Sequence, residues 1–197
     1  GLHPSQMYEY YSTKPNGFVQ DWQHPDSKAS MLKTQHPDFE NWSQGTHGKA
    51  GVSCADCHMP FVREKGQKYS SHWVTSPLKN LQNSCRTCHT QSEEWLLSQV
   101  KSNQDQTWQL LHMTGQTIAR AHEATGRAAA NPAADPAELA KARELIRKAQ
   151  WYWDSVSAEN SMGAHNPAGN LNILGQANDL AHQAIEAAGK ADSSPAK

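Results

Sequence analysis

Two copies of the motif Cys-x-x-Cys-His constrain this chain more than any other feature of its sequence. They occupy Cys54–His58 and Cys85–His89, and together they use all four cysteines of the chain. The motif is typical of covalent haem c attachment, in which two thiols bond to the porphyrin and the histidine binds one axial face of the iron. We therefore predict no disulfide and two haem c groups, held by the thiols of Cys54, Cys57, Cys85 and Cys88.

A zinc site is the main alternative, because two Cys-x-x-Cys pairs also form a tetrathiolate site. Histidine accounts for 11 of the 197 residues, so a histidine would follow both pairs by chance with a probability of roughly 0.003. The gap between the pairs also exceeds the about 15–20 residues typical of zinc sites. Both observations favour haem.

Composition limits the partners and the location of the chain. The net charge of −1 gives no reason to expect nucleic acid or an anionic membrane surface as a partner. No run of about 18 apolar residues is present, so we expect a chain that does not span a membrane. Because bacteria attach haem c outside the cytoplasm, we predict a periplasmic location. No signal peptide is visible, and we interpret Gly1 as following a removed segment.

The chain divides into three regions by composition. Residues 1–50 are rich in turn-forming residues and predict irregular chain with brief helices at Met7–Tyr11 and Phe39–Gln44. Residues 51–91 carry both haem motifs, joined by a polar loop around Lys65–Ser71. Residues 92–190 predict long helices, so the fold class is all-α.

The long helices have readable boundaries and narrow apolar stripes. The first is predicted over 92–125 and ends at Gly126. The second begins at Asp135 as N-cap, with Pro136 in the first turn and Glu138 completing a capping box. The third is predicted over about 168–188. The stripe of the second helix comprises Leu139, Ala142, Ile146, Ala149, Trp153 and Val156, which suits either packing within the chain or packing that also forms a homodimer.

Each haem iron in an electron-transfer protein usually needs a second strong axial ligand. Glycines flank His47 and would let its backbone approach a planar group, and His165 lies between two predicted helices. His36 precedes Pro37, which favours an extended backbone. We expect the mid-helix residues His112, His122 and His182 to be solvated. The other candidates are His3, His24 and His72.

Several segments resemble pentahaem cytochrome c nitrite reductase, the ammonia-forming enzyme, and the resemblance extends over essentially the whole chain. The strings Lys33-x-Gln35-His36-Pro37 and Cys-Ala-Asp-Cys-His-Met-Pro are the most specific. The matching segments are Met31–Pro37, Trp42, Gly45–Lys49, Gly51–Pro60, Cys85–Gln91, Ala149–Asp154 and His165–Pro167. The chain corresponds to roughly the C-terminal half of that enzyme.

The resemblance implies a role for each matching residue. His58 and His165 would be the proximal and distal ligands of one haem iron, and His89 and His47 those of the other. His72 matches the distal ligand of a haem carried by the enzyme's N-terminal half. In the active-site-type motif of residues 1–50, His36 matches the catalytic histidine that donates a hydrogen bond or a proton to nitrite. Lys33, through its carbonyl, and Gln35, through its side chain, match calcium ligands.

Other parts of the family pattern do not occur in this sequence. The family's catalytic haem uses a Cys-x-x-Cys-Lys motif, and the family has two further Cys-x-x-Cys-His motifs. The resemblance therefore implies a chain that relays electrons to a catalytic haem in a missing N-terminal half, with a cytochrome or quinol dehydrogenase as electron donor and a homodimer as the assembly. A standalone dihaem electron carrier is the alternative, and another multihaem reductase acting on hydroxylamine or sulfur oxyanions is a third reading.

Overall fold

The computed structural model describes residues 2–13 and 20–193, and its largely helical content confirms the all-α prediction. Three long helices form the carboxyl-terminal half: α5 (Glu93–Ala130), α6 (Pro136–Ser157) and α7 (Pro167–Asp192). Two single-turn 3₁₀ helices precede them at Pro77–Lys79 and Cys85–Thr87. The earlier elements are α1 (Pro4–Thr13), β1 (Trp22–Gln23), β2 (Ser30–Met31), α2 (Asp38–Gln44), α3 (Thr46–Lys49), α4 (Cys54–His58), β3 (Phe61–Glu64) and β4 (Gln67–Ser70).

The three long helices pack together as a bundle in which α6 runs antiparallel to its two neighbours. At one end the buried core residues are all alanines, which let the helices approach closely: Ala128, Ala142, Ala187, Ala188 and Ala191. Leu139 and Leu145 pack against them. At the other end, Trp151 and Val156 of α6 pack against Ile173 and Leu174 of α7. Ile146 is fully buried between these ends. The apolar stripe of α6 therefore serves the chain's own core.

The helix boundaries follow local chemistry, and they differ from the sequence-based predictions at the start of α6 and at the ends of α5 and α7, where α7 runs to Asp192. Asp135 caps α6 as predicted by accepting a hydrogen bond from Ala137 N at 2.8 Å. Its own N–H, however, donates to the Ala191 carbonyl at 3.0 Å rather than to Glu138. Helix α5 also continues past Gly126 to Ala130. It ends before Asn131, because a proline follows Asn131 and disfavours helical backbone at the residue before it. Gly126 faces Asp26, where a Cβ would lie 3.3 Å away.

The segment predicted as a polar loop around Lys65–Ser71 is largely a β-hairpin. Strands β3 and β4 pair antiparallel, with Glu64 opposite Gln67. Lys65 and Gly66 form the turn with φ values of 49° and 85°, and two positive φ values suit a tight hairpin connection. Most strand residues are exposed on both faces. Without a buried face the strands have no alternation of apolar and polar residues, so the sequence carries no strand signal there.

Side chains of α6 hold the irregular amino-terminal segment in place. Arg143 donates to the Ser27 carbonyl at 2.7 Å, and the buried Arg147 donates to the Ser30 carbonyl at 2.6 Å. Further along the helix, the carboxylate of Asp154 accepts hydrogen bonds from Lys33 Nζ at 2.7 Å and from Thr34 N at 2.8 Å. Charged groups that bond to backbone are among the stronger hydrogen bonds in proteins. They fix the segment that leads to His36.

The expectation that His122 is solvated was wrong. It is only 5% exposed, and its ring stacks on that of His24 with 3.7 Å between centroids. Its Nε2 lies 3.2 Å from Gln150 Oε1, which can only accept, and its Nδ1 lies 2.8 Å from the Ser27 hydroxyl. The neutral ring is thus satisfied at both nitrogens, and burial lowers its pKa to about 4. His112 and His182 are exposed, as expected.

This buried histidine predicts that the fold loses stability in mild acid. Below about pH 6.5 the unfolded chain binds a proton at His122 that the folded chain excludes, so stability falls as the pH drops from 6.5 towards 4. Between pH 7 and pH 5 the loss attributable to His122 is on the order of 2 kcal/mol. Denaturant unfolding of wild type and His122→Gln at both pH values measures it as a smaller pH dependence in the variant. The exposed His182→Gln chain should keep the wild-type dependence, and an equal slope in all three chains would contradict the assignment.

Candidate functional site

The structure brings the histidine of the first Cys-x-x-Cys-His motif close to a histidine that is distant in sequence. The rings of His58 and His165 lie with 6.3 Å between centroids and planes 71° apart. His58 stands at the end of α4, whereas His165 lies in the connection between α6 and α7. The Nδ1 of His58 is 2.9 Å from the Thr75 carbonyl oxygen. Because a carbonyl only accepts, Nδ1 carries the proton and Nε2 is free to bind a metal.

The second motif meets its own remote histidine in the same way. The rings of His89 and His47 lie 6.1 Å apart with planes at 83°. His89 follows the 3₁₀ turn Cys85–Thr87, and its N–H bonds to the Cys85 carbonyl at 2.9 Å. His47 comes from α3, far back in the sequence. Both histidine pairs are the ones that the family resemblance implies.

Both spacings fit a metal ion held between two imidazoles. Two metal–nitrogen bonds of about 2 Å, together with the half-widths of two rings, add up to roughly 6 Å. Each pair also includes the histidine directly after a Cys-x-x-Cys pair, which is where haem c attachment needs it. The residues present therefore fit two haem groups with two histidine ligands each.

The thiols themselves are free and accessible enough for covalent attachment. Cys54 and Cys88 are exposed, and Cys57 and Cys85 are half-buried. Burial raises the pKa of the Cys57 thiol, and the nearby Cys85 thiol raises it further.

The four thiols do not converge as a zinc site requires. Residues 2–13 and 20–193 include every cysteine, and within them the one group of three or more His, Cys, Asp or Glu ligand atoms near enough to share a metal is Asp38, Glu159 and His165. The tetrathiolate alternative therefore has no geometric support.

Local hydrogen bonds fix the first haem motif. Ser53 caps α4 by accepting from Asp56 N at 3.2 Å, and the Asp56 carboxylate accepts from Ser53 N at 2.7 Å. The bonds that this carboxylate accepts from the Ser53 backbone N–H and the Ser53 hydroxyl lower the pKa of Asp56. The reciprocal capping box starts the helix at Cys54, which places both cysteines and His58 within consecutive turns.

Two glycines let the His47 segment pack against its neighbours. A Cβ on Gly45 would lie 2.0 Å from the His165 carbonyl oxygen, and a Cβ on Gly48 would lie 2.2 Å from the Trp42 carbonyl oxygen. The sequence suggested that these glycines make room for a planar group, whereas in the structure they make room for backbone. The segments that carry His47 and His165 thus touch. Partial burial and the imidazoles of His89 and His165 lower the pKa of His47.

A buried carboxylate that sequence reasoning missed lies behind His165. The Nδ1 of His165 is 2.5 Å from Glu159 Oε1, an ion-pair contact rather than an aligned hydrogen bond. The Glu159 contact raises the pKa of His165. Burial opposes ionisation of Glu159, but the contact with His165 and the hydrogen bonds from Ser161 hold its pKa below the usual value. Glu159 follows the end of α6 in a segment with no periodic pattern, so no sequence signal singled it out.

The residues of the active-site-type motif lie on the surface. His36, Lys33 and Gln35 are all exposed. The backbone of His36 has a φ of 43°, so the expectation of an extended conformation was wrong. Pro37 is buried and the chain before His36 is tied to Asp154, which outweighs the local preference set by proline. Left-handed backbone at a non-glycine residue is held by its surroundings and recurs at functional sites.

The remaining predicted ligand, His72, is exposed together with its neighbours. Trp73 is 79% exposed and Val74 65% exposed. No described histidine is paired with His72 in the way that His47 pairs with His89. This apolar strip lies in the loop after the β3–β4 hairpin.

Comparison with known proteins identifies close relatives of this chain. The cytochrome c nitrite reductase subunit NrfA of Nitratidesulfovibrio vulgaris is 43% identical over 202 residues, covering 95% of this chain and 38% of the relative. A cytochrome c-552 of Maridesulfovibrio salexigens is 42% identical, covering 93% of this chain and 36% of the relative. The chain thus spans little more than a third of the length of these relatives.

A solved structure shares the fold. The cytochrome c nitrite reductase of Desulfovibrio desulfuricans, described with two calcium sites in its catalytic subunit NrfA, superposes with a TM-score of 0.91 at 43% identity. The match covers 98% of this chain and 42% of that protein.

Within the described residues, none of the helices combines the length and the apolar character that crossing a membrane requires.

The family model for cytochrome c552 matches residues 1–194. That match, the level of identity to the relatives and the two motif-bearing histidine pairs show that this chain belongs to the cytochrome c552 family.

Proposed function

We propose that this chain is the C-terminal dihaem portion of an ammonia-forming cytochrome c nitrite reductase. The observation that carries the proposal is the pair of histidine spacings, 6.3 Å for His58–His165 and 6.1 Å for His89–His47. Each pair joins a haem-attachment motif to a distal histidine. The relatives described as cytochrome c nitrite reductase support the reaction class.

The residues of this chain would hold two electron carriers close together. When bound, each haem accepts and releases one electron. Cys54 and Cys57 would anchor one group, and Cys85 and Cys88 the other. His165 and His47 would close the second axial position of each iron, so nitrite would have no site on either. The contact of Gly45 with the His165 backbone keeps the two ligand pairs adjacent, as an electron relay requires.

The exposed motif residues would face the part of the enzyme that carries the catalytic haem. His36 would donate a hydrogen bond or a proton to nitrite bound there. The Lys33 carbonyl and the Gln35 side chain would give calcium two oxygen ligands. Because Ca²⁺ takes about 6–8 oxygen ligands, including water, the other part and water would supply the rest. His72, beside the exposed Trp73, would ligate a third haem held there.

We propose the following partners and setting for the complete enzyme. A donor cytochrome or quinol dehydrogenase would deliver electrons in the periplasm, where haem c is attached. A homodimer would form through the helical region 92–190, the third of three functional segments after 1–50 and 51–91. Its contacts would come from exposed side chains such as Trp108 and Met113 of α5, because Ile146 is buried in the chain's own core.

Intact mass spectrometry and the ferric optical and paramagnetic resonance spectra test the proposal. We expect two haem c groups per chain, both six-coordinate and low-spin. The Cys54→Ser/Cys57→Ser and Cys85→Ser/Cys88→Ser chains should each lose one group. Bound zinc, a single haem or a predominant high-spin ferric signal in the unmodified chain would contradict it.

A further inference from the structure

The two histidine pairs differ in what stands behind their outer ring nitrogens. Behind His165 stands the carboxylate of Glu159, at 2.5 Å from Nδ1, and the Glu159 side chain is fully buried. The partner ring, His58, donates from Nδ1 to a neutral carbonyl at 2.9 Å. Within the described residues, His47 and His89 have no carboxylate at ion-pair distance. Of the two sites, only the one with His165 therefore has a carboxylate behind a proposed axial ligand among the described residues.

The loop is built to keep Glu159 in this position. Its carboxylate accepts from Ser161 N at 2.9 Å, from Ser161 Oγ at 2.7 Å and from Gly163 N at 3.3 Å. Ser161 Oγ in turn accepts a hydrogen bond from the backbone N–H of His165 at 2.8 Å. Asn160, which lies between Glu159 and Ser161, donates two hydrogen bonds of 2.9 Å to the Asp38 carboxylate. Carboxylate and imidazole are thus fixed relative to each other by the same short segment.

A carboxylate behind a ligating imidazole has a defined chemical effect. It keeps the proton on Nδ1, which leaves Nε2 free for the metal, and it raises the electron density on Nε2. A more strongly donating axial ligand favours ferric over ferrous iron, and hydrogen bonding behind the ligand is one of the ways in which proteins set haem potentials. Complete burial of Glu159 strengthens the interaction, because little solvent screens it.

We infer that Glu159 is a positioning residue for His165 that makes the haem on Cys54 and Cys57 the lower-potential member of the pair. The inference rests on the proposed function, since it needs His165 as an iron ligand. The chain's own asymmetry would then bias an electron towards the haem on Cys85 and Cys88.

Spectroelectrochemical titration of the haem-loaded chain and its Glu159→Gln variant tests the inference. We expect two one-electron steps in the unmodified chain. The substitution should shift the ferric-to-ferrous ratio of the lower step by about tenfold, which is 59 mV upwards for one electron, and leave the upper step in place. Glu138→Gln, a matched loss of one carboxylate on α6, should move neither step. Equal movement of both steps, or none, would overturn the inference.

A second measurement leaves Glu159 intact, in case its substitution unfolds the loop. In His47→Ala, carbon monoxide should bind only the haem on Cys85 and Cys88 and raise the potential of that haem. The step that stays in place then belongs to the haem on Cys54 and Cys57, and it must be the lower of the two wild-type steps. If it is the upper step, the inference is wrong while the proposed function stands. An unmodified chain without two low-spin haems would overturn both.

Discussion

Replacing His36 by Ala is expected to lower nitrite reduction by the complete enzyme by roughly 10²–10⁴, the effect of removing a positioned proton donor. The structure holds the His36 backbone in a defined conformation and leaves its side chain exposed. Its backbone has φ of 43°, and the chain before it is fixed by the Asp154 carboxylate, which bonds Lys33 Nζ and Thr34 N. Its side chain is exposed and belongs to neither histidine pair.

Steady-state nitrite reduction with optical spectra of the same samples checks this prediction. His36→Asn is the informative companion, because asparagine tolerates left-handed backbone but cannot transfer a proton. Both variants should lose activity while the spectra of the two haems on this chain stay unchanged. The exposed His182→Ala chain should retain activity. Full activity in His36→Asn would contradict the assignment, whereas loss in Ala alone would indicate backbone strain.

The bundle could be predicted well from the sequence because its signals are local. Asp135 followed by Pro136 marks the start of α6, and the stripe through Ala142, Ile146 and Ala149 marks its buried face. Gly126 misled for the opposite reason. A glycine ends a helix only when the chain needs a left-handed residue there, and here it packs against Asp26 inside a continuing helix.

Other features depend on tertiary contacts that no local pattern records. His122 is buried because Ser27 and Gln150, distant in sequence, satisfy both of its ring nitrogens. Glu159 reaches His165 only because the loop folds back through Ser161. The motif chemistry alone predicts which cysteines attach haem and which histidines follow them as axial ligands. Local context makes His47 and His165 candidate ligands, but only the family resemblance predicts which motif each of them would pair with.

Replacing either proposed distal histidine by Ala is also expected to have a large effect. The reduced chain should then bind one molecule of carbon monoxide, whereas the unmodified chain should bind none. If each iron is held as proposed, two imidazoles per iron leave no free axial position in the unmodified chain. His165→Ala would free a position only on the haem of Cys54 and Cys57, and His47→Ala only on that of Cys85 and Cys88. The separate ring pairs, 6.3 Å and 6.1 Å apart, predict that the two openings are independent.

Carbon monoxide binding to the reduced chains is therefore the measurement that tests the two-pair account most directly. We predict no binding to the unmodified chain or to His182→Ala, one molecule per chain for His165→Ala and for His47→Ala, and two for the double variant. Binding to the unmodified chain, or the same haem opening in both single variants, would contradict the account.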